Sequence, residues 1–349
     1  MTKSVLVAMS GGVDSSVAAL LLRQNGYDIS GMMLRLWSQD EESIPESESD
    51  AKKVCDSLGI DFHLCDYRKE FKETVISSFI SAYENGETPN PCVICNRHVK
   101  FEFMLREADR LGIDKIATGH YAKVEYDSER GRYVVKKAAD DKKDQTYMLA
   151  LLTQEQLSRI IFPLGSLTKN EIRELAEKNE LAPAHKKDSQ DICFIPDGDY
   201  VKFIEEQTNK SYPCGNFTDT FGNILGTHKG QIRYTTGQRK GLGIALGAPM
   251  YVLCKNVVTN EVVLGSNEQL FSDECTVTDL NPIAVASFDS PIRADVKIRY
   301  SHKATPAWIY PSQNGMVTVK FDEPQRAVTI GQTAAFYDGD ILLGGGKII

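Results

Sequence analysis

Apolar runs alternate with amphipathic helical patterns through the first part of the chain. In chain order these segments are SVLVAM, VAALLLRQ, ISGMMLRLW, DAKKVCDSLG and IDFHLCDY. Strands that alternate with helices in this way form right-handed βαβ units around a parallel sheet. The pattern therefore predicts a Rossmann-like α/β domain.

A segment rich in proline and asparagine interrupts the helical patterns of this domain. Helices are predicted from Lys69 to Glu84 and from Phe101 to Arg110, and NGETPNPCVICNRHVKF lies between them. Its two prolines and its Asn-containing turns disfavour regular structure. The segment is therefore predicted to be a loop, which is a common place for catalytic residues.

Two further local signals follow the strand-like KIATGHY. The segment VEYDSERGRYVVKK predicts a β-hairpin. The segment SLTKNEIRELAEKNEL predicts a helix that begins with a capping box of Thr168 and Glu171. We assign this helix to the first domain.

The pattern changes class after the breaker-rich EEQTNKSYPCGNF. From Asn216 onward the runs are short and β-rich, and turn signals such as Phe221-Gly222-Asn223 separate them. Short strands at this spacing are typical of small sheets and barrels. We expect an α/β catalytic domain over 1–207, a small β-rich domain over 208–275 and a C-terminal β-barrel over 276–349.

Composition and charge narrow the class of protein. The chain has 349 residues, 42% of them hydrophobic, and a formal net charge of −8, which argues against general polyanion binding but permits a local basic face. Eight cysteines without a secretory signal pattern fit a reducing cytoplasm. No apolar run is long enough to span a bilayer, so we expect no membrane association.

The stretch SGGVDSS, Ser10 to Ser16, joins the first predicted strand to the first predicted helix. Glycines and a helix N-terminus at such a turn present backbone N–H groups that bind phosphate. The alternative is an ordinary turn in which Asp14 or Ser15 caps the helix. Neither G-x-x-x-x-G-K-[ST] nor G-x-G-x-x-G occurs here, so no Walker lysine follows the glycines.

Three cysteines stand in segments that suggest chemistry. Cys92 and Cys95 form a C-x-x-C, which is typical of buried structural thiols, half of a zinc site or a redox pair. Cys193 follows a basic segment at residues 185–187, and nearby cations lower the pKa of a thiol. A lone cysteine before Phe194 and Ile195 is also compatible with a core position.

The stretch SGGVDSS resembles the pyrophosphate loop of the ATP pyrophosphatases, which cleave ATP between its α and β phosphates, usually with Mg²⁺, and form adenylated intermediates. Six segments in order resemble the tRNA-specific 2-thiouridylases; they are SGGVDSS, NPCVICNRHVKF, ATGHYA, KDQTYML, KDSQDICFIP and YTTGQRKGLG. This resemblance runs over essentially the whole chain. It implies a tRNA sulfurtransferase that uses ATP and Mg²⁺.

The resemblance implies a reaction and roles for two thiols. ATP adenylates the 2-oxygen of the wobble uridine, at position 34 of the tRNA, and sulfur then displaces AMP. Cys193 would carry sulfur as a persulfide, received from a cysteine desulfurase or a relay protein. Cys95 would be the nucleophile that attacks this persulfide and leaves a transient Cys95–Cys193 disulfide.

Matching segments also imply binding residues. Those expected to contact ATP are Ala8, Met9, Ser10, Gly11, Gly12, Val13, Asp14, Ser15, Leu34 and Gly119. Those expected beside the target base are Asn90, Pro91 and Cys92. Those expected to contact tRNA are His120, Lys143, Asp144, Gln145, Arg299, Tyr300 and Gln332. For His120 the alternative is a packed core histidine, and for residues 142–145 it is a solvated face.

Cys92 departs from the family pattern, because many relatives carry Asp at this position. With Cys95 and Cys193 it supplies three thiols, which are also the ligand set of a [4Fe–4S] cluster with one open iron. The cluster route to the same product is therefore an alternative to the persulfide route, which we place first. A second alternative is a pyrophosphate-loop synthetase that acts on a small molecule.

Overall fold

The computed structural model describes residues 3–38, 46–181, 192–245 and 247–349. The strands in chain order are β1 (Ser4–Ala8), β2 (Asp28–Arg35), β3 (Phe62–Asp66), β4 (Lys115–Ala117), β5 (Lys123–Asp127), β6 (Arg132–Lys136), β7 (Ile160–Ile161), β8 (Gly215–Thr218), β9 (Ile224–His228), β10 (Tyr251–Asn256), β11 (Glu261–Gly265), β12 (Phe271–Pro282), β13 (Ile292–Lys297), β14 (Thr305–Pro311), β15 (Val317–Arg326), β16 (Thr333–Asp338) and β17 (Ile341–Ile348). The α-helices are α1 (Val13–Gln24), α2 (Glu46–Leu58), α3 (Arg68–Phe71), α4 (Ser77–Glu84), α5 (Pro91–Cys95), α6 (Phe101–Leu111), α7 (Gln154–Arg159), α8 (Lys169–Lys178) and α9 (Tyr200–Thr208).

The first domain is built on a five-stranded parallel sheet in the order β3-β2-β1-β4-β7. Its central strand β1 is apolar because helices cover both faces, and Val5, Leu6 and Val7 are fully buried. The predicted Rossmann-like sheet is thereby confirmed. The strands end at one edge, which is where open α/β sheets bind ligands.

Two π-helical turns interrupt the helices beside this sheet. Lys72–Ile76 joins α3 to α4, and Asn96–Lys100 joins α5 to α6. The loop prediction is therefore wrong for residues 91–100, which are helical. Pro91 occupies the first helical position, where its missing N–H costs nothing, and the side chain of Asn90 caps the helix by accepting from the Cys92 N–H at 3.2 Å.

The chain after α9 forms two β structures. A four-stranded sheet has the order β10-β11-β8-β9. Six antiparallel strands, β12-β15-β14-β13-β16-β17, close into a barrel through the pairing of β12 with β17, so the expected barrel is confirmed. The expected domain boundary between residues 275 and 276 falls inside β12, which is already a barrel strand.

The first domain is tied to the barrel by its hairpin. Strands β5 and β6 form the predicted hairpin, and β6 pairs with β17 of the barrel. The capping box of Thr168 and Glu171 at the start of α8 is also present. Within the described ranges, no helix is long and apolar enough to cross a membrane.

Candidate active site

The SGGVDSS loop lies between β1 and α1 and is held by its own hydroxyl groups. The Ser15 Oγ accepts from the Ser10 N–H at 3.1 Å and donates to the Gly12 carbonyl at 3.1 Å. Gly12 is the N-cap, and no side chain caps the helix, so neither Asp14 nor Ser15 takes that role. The first N–H groups of α1 are therefore available to an anion.

The carboxylate of Asp14 is already paired inside the protein. It accepts from the Lys169 Nζ at 2.8 Å and from the Tyr121 hydroxyl at 2.6 Å. The Lys169 side chain is 8% exposed and that of Asp14 is 31% exposed. Lys169 thus neutralises the negative charge of Asp14. A phosphate at the loop would contact the N–H groups without repulsion from this carboxylate.

Glycine is required by packing at two positions around this loop. A Cβ on Gly119 would lie 2.8 Å from the backbone carbon of Asp14, so the turn after β4 contacts the start of α1. Gly11 has φ +71°, and its Cβ would lie 2.2 Å from the carbonyl oxygen of Ser47. The residues expected to contact ATP, including Leu34 near the end of β2, thus lie at the carboxyl ends of neighbouring strands.

The structure brings the three cysteines together. Cys95 is buried in the same apolar cluster as Phe194 and Ile195, while Cys92 and Cys193 are exposed. Burial, with smaller contributions from the neighbouring Cys193 and Cys92, raises the pKa of the Cys95 thiol to about 12. Although Cys92 and Cys193 reach solvent, the surrounding protein partly desolvates their thiols and raises their pKa values, so the neutral thiol is favoured at all three positions.

Two lysines in the site were missed in the sequence. Lys169 begins α8 and reaches Asp14 from 155 positions away. The Lys100 ammonium lowers the pKa values of Cys92, Cys95 and Cys193, in opposition to burial. Lys100 lies within the segment NPCVICNRHVKF, but the sequence does not indicate that its charge acts on the thiols. The pairing of Lys169 with Asp14 joins distant segments and leaves no local pattern.

The residues expected beside the target base lie next to the barrel. The Asn90 Nδ2 donates to the Met148 Sδ at 3.8 Å, and the Tyr147 hydroxyl donates to the Thr333 carbonyl at 2.8 Å. The Gln332 Nε2 donates to the Thr88 carbonyl at 2.8 Å. These bonds hold the segment before α5 against β16 of the barrel.

Three family models match consecutive parts of the chain. The tRNA methyl transferase HUP domain matches residues 3–197, the tRNA methyl transferase PRC-barrel domain matches residues 201–266, and the aminomethyltransferase beta-barrel domain matches residues 272–348.

Curated relatives match over the full length. The chain is 47% identical over 357 residues to the tRNA-specific 2-thiouridylase MnmA of Clostridioides difficile, which covers 100% of this chain and 98% of that protein. It is 50% identical over 355 residues to the tRNA-specific 2-thiouridylase MnmA of Acetivibrio thermocellus, with 99% of each chain covered. This chain belongs to the tRNA-specific 2-thiouridylase family. The resemblance of the six sequence segments to this family is thereby confirmed.

The positions expected from the sequence to contact tRNA differ in their surroundings. Tyr300 is exposed, and its ring centroid lies 6.1 Å from that of Tyr147. The Arg299 guanidinium is partly buried and donates to the carbonyls of Ala327, at 2.8 Å, and Thr236, at 3.3 Å. Arg299 therefore bridges the barrel to the segment before the basic loop GQRKGLG, in which Arg239 and Lys240 are exposed.

Basic residues cluster locally around His302, although the chain as a whole has a net negative charge. Burial lowers the pKa of His302, and the cations Arg299, Arg326 and Lys297 lower it further. The Lys297 ammonium lies 5.3 Å from the centroid of the Tyr300 ring. Three cations thus lie near His302, and one of them lies over the exposed ring of Tyr300; basic residues beside an exposed aromatic ring are typical of RNA-binding surfaces.

His120 is packed between aromatic rings. Its ring lies 5.6 Å from Phe101 and 5.8 Å from Phe162, and its Nδ1 lies 2.6 Å from the Thr118 Oγ1. Burial holds the pKa of His120 well below its ordinary value, and Lys100 lowers it further. The geometry is that of a neutral, packed histidine beside the Gly119 turn.

The segment Lys143-Asp144-Gln145 is bonded to the backbone around it. The Lys143 N–H donates to the Asp140 carbonyl, and Asp144 accepts from the Ala138 N–H at 3.1 Å. Gln145 exchanges hydrogen bonds with the backbone of Tyr121. The side chains of Asp144 and Gln145 therefore organise the backbone around Tyr121, and are not merely a solvated face.

Family membership implies ATP and Mg²⁺. Among the described residues, no three His, Cys, Asp or Glu side chains are arranged to hold a metal ion. The N-terminus of α1, which has no side-chain cap, would hold the phosphates of ATP, and phosphate oxygens are ligands that Mg²⁺ prefers. The described residues include no formed iron–sulfur ligand set of Cys92, Cys95 and Cys193. The basic segment at 185–187, expected to act on Cys193, lies outside the described residues.

Proposed function

We propose that this protein is an ATP-dependent tRNA sulfurtransferase that replaces the 2-oxygen of the wobble uridine with sulfur. The observation that carries the proposal is that Cys95 packs against Phe194 and Ile195, the residues that follow Cys193. The same domain contains the SGGVDSS loop, at which helix α1 has no side-chain cap. Full-length identity to 2-thiouridylases supports the same activity.

Activation takes place at the loop of Ser10 to Ser16. The N–H groups of the loop and of α1 bind the phosphates of ATP, and Mg²⁺, when bound, would neutralise part of their charge. The uridine 2-oxygen attacks the α phosphorus, the bond to the β-phosphate oxygen breaks, and pyrophosphate leaves. Asn90, Pro91 and Cys92 position the base, while Arg299, Tyr300 and Gln332 hold the tRNA beside it. A Walker lysine is not needed, because the terminal phosphate is not transferred.

Sulfur transfer takes place at the thiols. A cysteine desulfurase or relay protein loads Cys193 with a persulfide. The Cys95 thiolate then bonds to the Cys193 Sγ, the bond to the outer sulfur breaks, and hydrosulfide leaves with the electron pair. Hydrosulfide attacks C2 of the adenylated uridine and expels AMP. A dithiol reductant reopens the Cys95–Cys193 disulfide, consistent with a reducing cytoplasm.

The test is anaerobic thiolation in vitro. Protein, ATP, Mg²⁺, a sulfur donor and unmodified tRNA are expected to yield 2-thiouridine, AMP and pyrophosphate. Cys193→Ser is expected to abolish the product when sulfur is supplied through a desulfurase, and Cys254→Ser serves as the matched control. Absence of 2-thiouridine would overturn the proposal, and a product yield that follows bound iron would replace the persulfide route with the cluster route.

A further inference from the structure

The chain between α4 and α5 contacts both of the β structures that follow the first domain. The Lys255 Nζ, on β10 of the four-stranded sheet, donates to the Glu87 carbonyl at 3.3 Å. The Lys347 Nζ, on β17 of the barrel, lies 3.0 Å from the Glu87 Oε1 and 2.8 Å from its Oε2. One residue of the first domain thus contacts a lysine from each of the two β structures.

The backbone beside Glu87 also lies directly against the barrel. The Thr88 N–H donates to the Ile330 carbonyl at 2.9 Å, and the Thr88 carbonyl accepts from the Gln332 Nε2 at 2.8 Å. Gly331, between these two partners, has φ +91°, and a Cβ there would lie 2.9 Å from the Glu87 Cβ. The two backbones therefore approach more closely than a side chain at position 331 would allow.

This connection leads directly into the helix of Cys92 and Cys95. It ends at Asn90, which is the N-cap of α5. A cavity of about 510 Å³ lies beside it, lined in part by Glu87, Pro89 and Asn90. Because this volume is not filled by side chains, packing alone does not fix the connection on that side. Its hydrogen bonds and its ion pair therefore determine where α5 begins.

We propose that Glu87 is a positioning residue for thiolation, and that its ion pair with Lys347 of the barrel holds Asn90 and the start of α5 in place for the target base. The inference rests on the proposed function for the identity of the reaction. Neither side chain forms or breaks a covalent bond in it. The Glu87 side chain is 20% exposed and that of Lys347 is 40% exposed, so solvent screens the pair only in part.

Amide hydrogen exchange tests the positioning without ATP or tRNA. The full-length protein is exchanged in D₂O, and peptides that cover residues 85–96 are followed by mass spectrometry. In Glu87→Gln and in Lys347→Met we expect these peptides to exchange about two- to fivefold faster, the size typical of a partly exposed ion pair. Lys347→Arg keeps the charge and is expected to match the natural protein.

Thiolation kinetics test the consequence for the reaction. We expect each single variant to lower the single-turnover rate of 2-thiouridine formation at saturating tRNA about five- to tenfold, because the start of α5 is displaced. The Kd for tRNA is expected to stay within about twofold. The double variant Glu87→Gln with Lys347→Met is expected to be no slower than either single variant, because both changes remove the same ion pair.

A matched control and three outcomes decide the proposal. Lys320→Met removes an exposed lysine from β15 of the same barrel and is expected to leave exchange and rate unchanged. Unchanged exchange over residues 85–96 in both single variants would overturn the proposal, and so would equally faster exchange in α8. Weaker tRNA binding in Lys347→Met but not in Glu87→Gln would also overturn it, by making Lys347 a phosphate contact. If the natural protein forms no 2-thiouridine, the proposed function fails, whereas the exchange result still decides the positioning.

Discussion

The two ends of the candidate site are built in different ways. At the nucleotide end, Ser10, Gly12 and Ser15 are close in the chain and hydrogen-bond to one another. At the thiol end, Cys95 and Cys193 come from distant segments and meet through a shared apolar cluster. The activating end is thus a local motif on a strand and a helix, whereas the sulfur end is assembled by tertiary packing.

Their electrostatics differ as well. The Asp14 charge is compensated by Lys169 before any ligand binds, and the loop presents N–H groups. The Cys95 thiol has a pKa raised to about 12 by burial, against which Lys100 acts. The nucleotide end can therefore bind an anion without a change in its own charges, whereas the Cys95 thiol at the sulfur end is protonated near neutral pH. The two half-reactions are therefore separable by mutation.

Gly11→Ala tests the nucleotide end with the largest expected effect. The new Cβ would sit 2.2 Å from the Ser47 carbonyl oxygen at φ +71°, so the loop must move. We expect a loss of tRNA-dependent pyrophosphate release of about 100-fold or more, since misplaced binding groups cost at least this much. The Cys95 alkylation rate is expected to be unchanged.

Gly112→Ala is the matched control for this change. Gly112 has φ +69° with open space around it, so alanine there brings the backbone cost without the clash. It is expected to lower the free energy of unfolding by about 1 kcal/mol and to keep pyrophosphate release. Equal activity losses in both variants would show that backbone strain, not the clash with Ser47, is responsible.

Lys169→Met tests the charge pair with Asp14 at the nucleotide end. Removing the cation leaves the Asp14 carboxylate uncompensated beside the phosphate site, and we expect the free energy of unfolding to fall by about 2 kcal/mol. ATP binding is expected to weaken also. In urea denaturation, the double variant Asp14→Asn with Lys169→Met is expected to recover part of the loss. Strict additivity of the two single changes would contradict a direct coupling.

The pH dependence of hydrosulfide release at the thiol end has a definite sign. Because the pKa of Cys95 is raised to about 12, the thiol is protonated near neutrality, and its thiolate fraction grows about tenfold per pH unit. Hydrosulfide release from persulfide-loaded protein without tRNA is expected to rise with that slope between about pH 7 and pH 9. A rate independent of pH over this range would show that thiolate formation does not limit the step.

The same contrast explains what could be predicted from sequence. The loop of Ser10 to Ser16 is a local pattern of small residues between a strand and a helix, so its place and its anion-binding character followed from neighbouring residues. The parallel sheet, the hairpin and the Thr168 capping box were likewise encoded locally. The barrel was expected from short, evenly spaced strands, but its closure by β12 and β17 depends on long-range pairing.

Less of the structure at the thiol end could be predicted from the sequence. The prolines predict a loop at residues 91–100, because proline usually breaks a helix, whereas Pro91 begins a helix that Asn90 caps. A π turn has no simple sequence signature, so the bond from the Phe101 N–H to the Asn96 carbonyl could not be predicted. The pairing of Lys169 with Asp14 likewise depends on tertiary contact between distant segments.

The most direct test of this account measures both half-reactions in one Cys95→Ser sample. Persulfide-loaded protein is mixed with ATP, Mg²⁺ and unmodified tRNA, and pyrophosphate and 2-thiouridine are quantified together in a single turnover. We predict pyrophosphate release within about threefold of the natural protein and at least a 1000-fold loss of 2-thiouridine, since the nucleophile alone is removed. Equal loss of both products, or retention of 2-thiouridine, would contradict the separation of an activating end from a sulfur end.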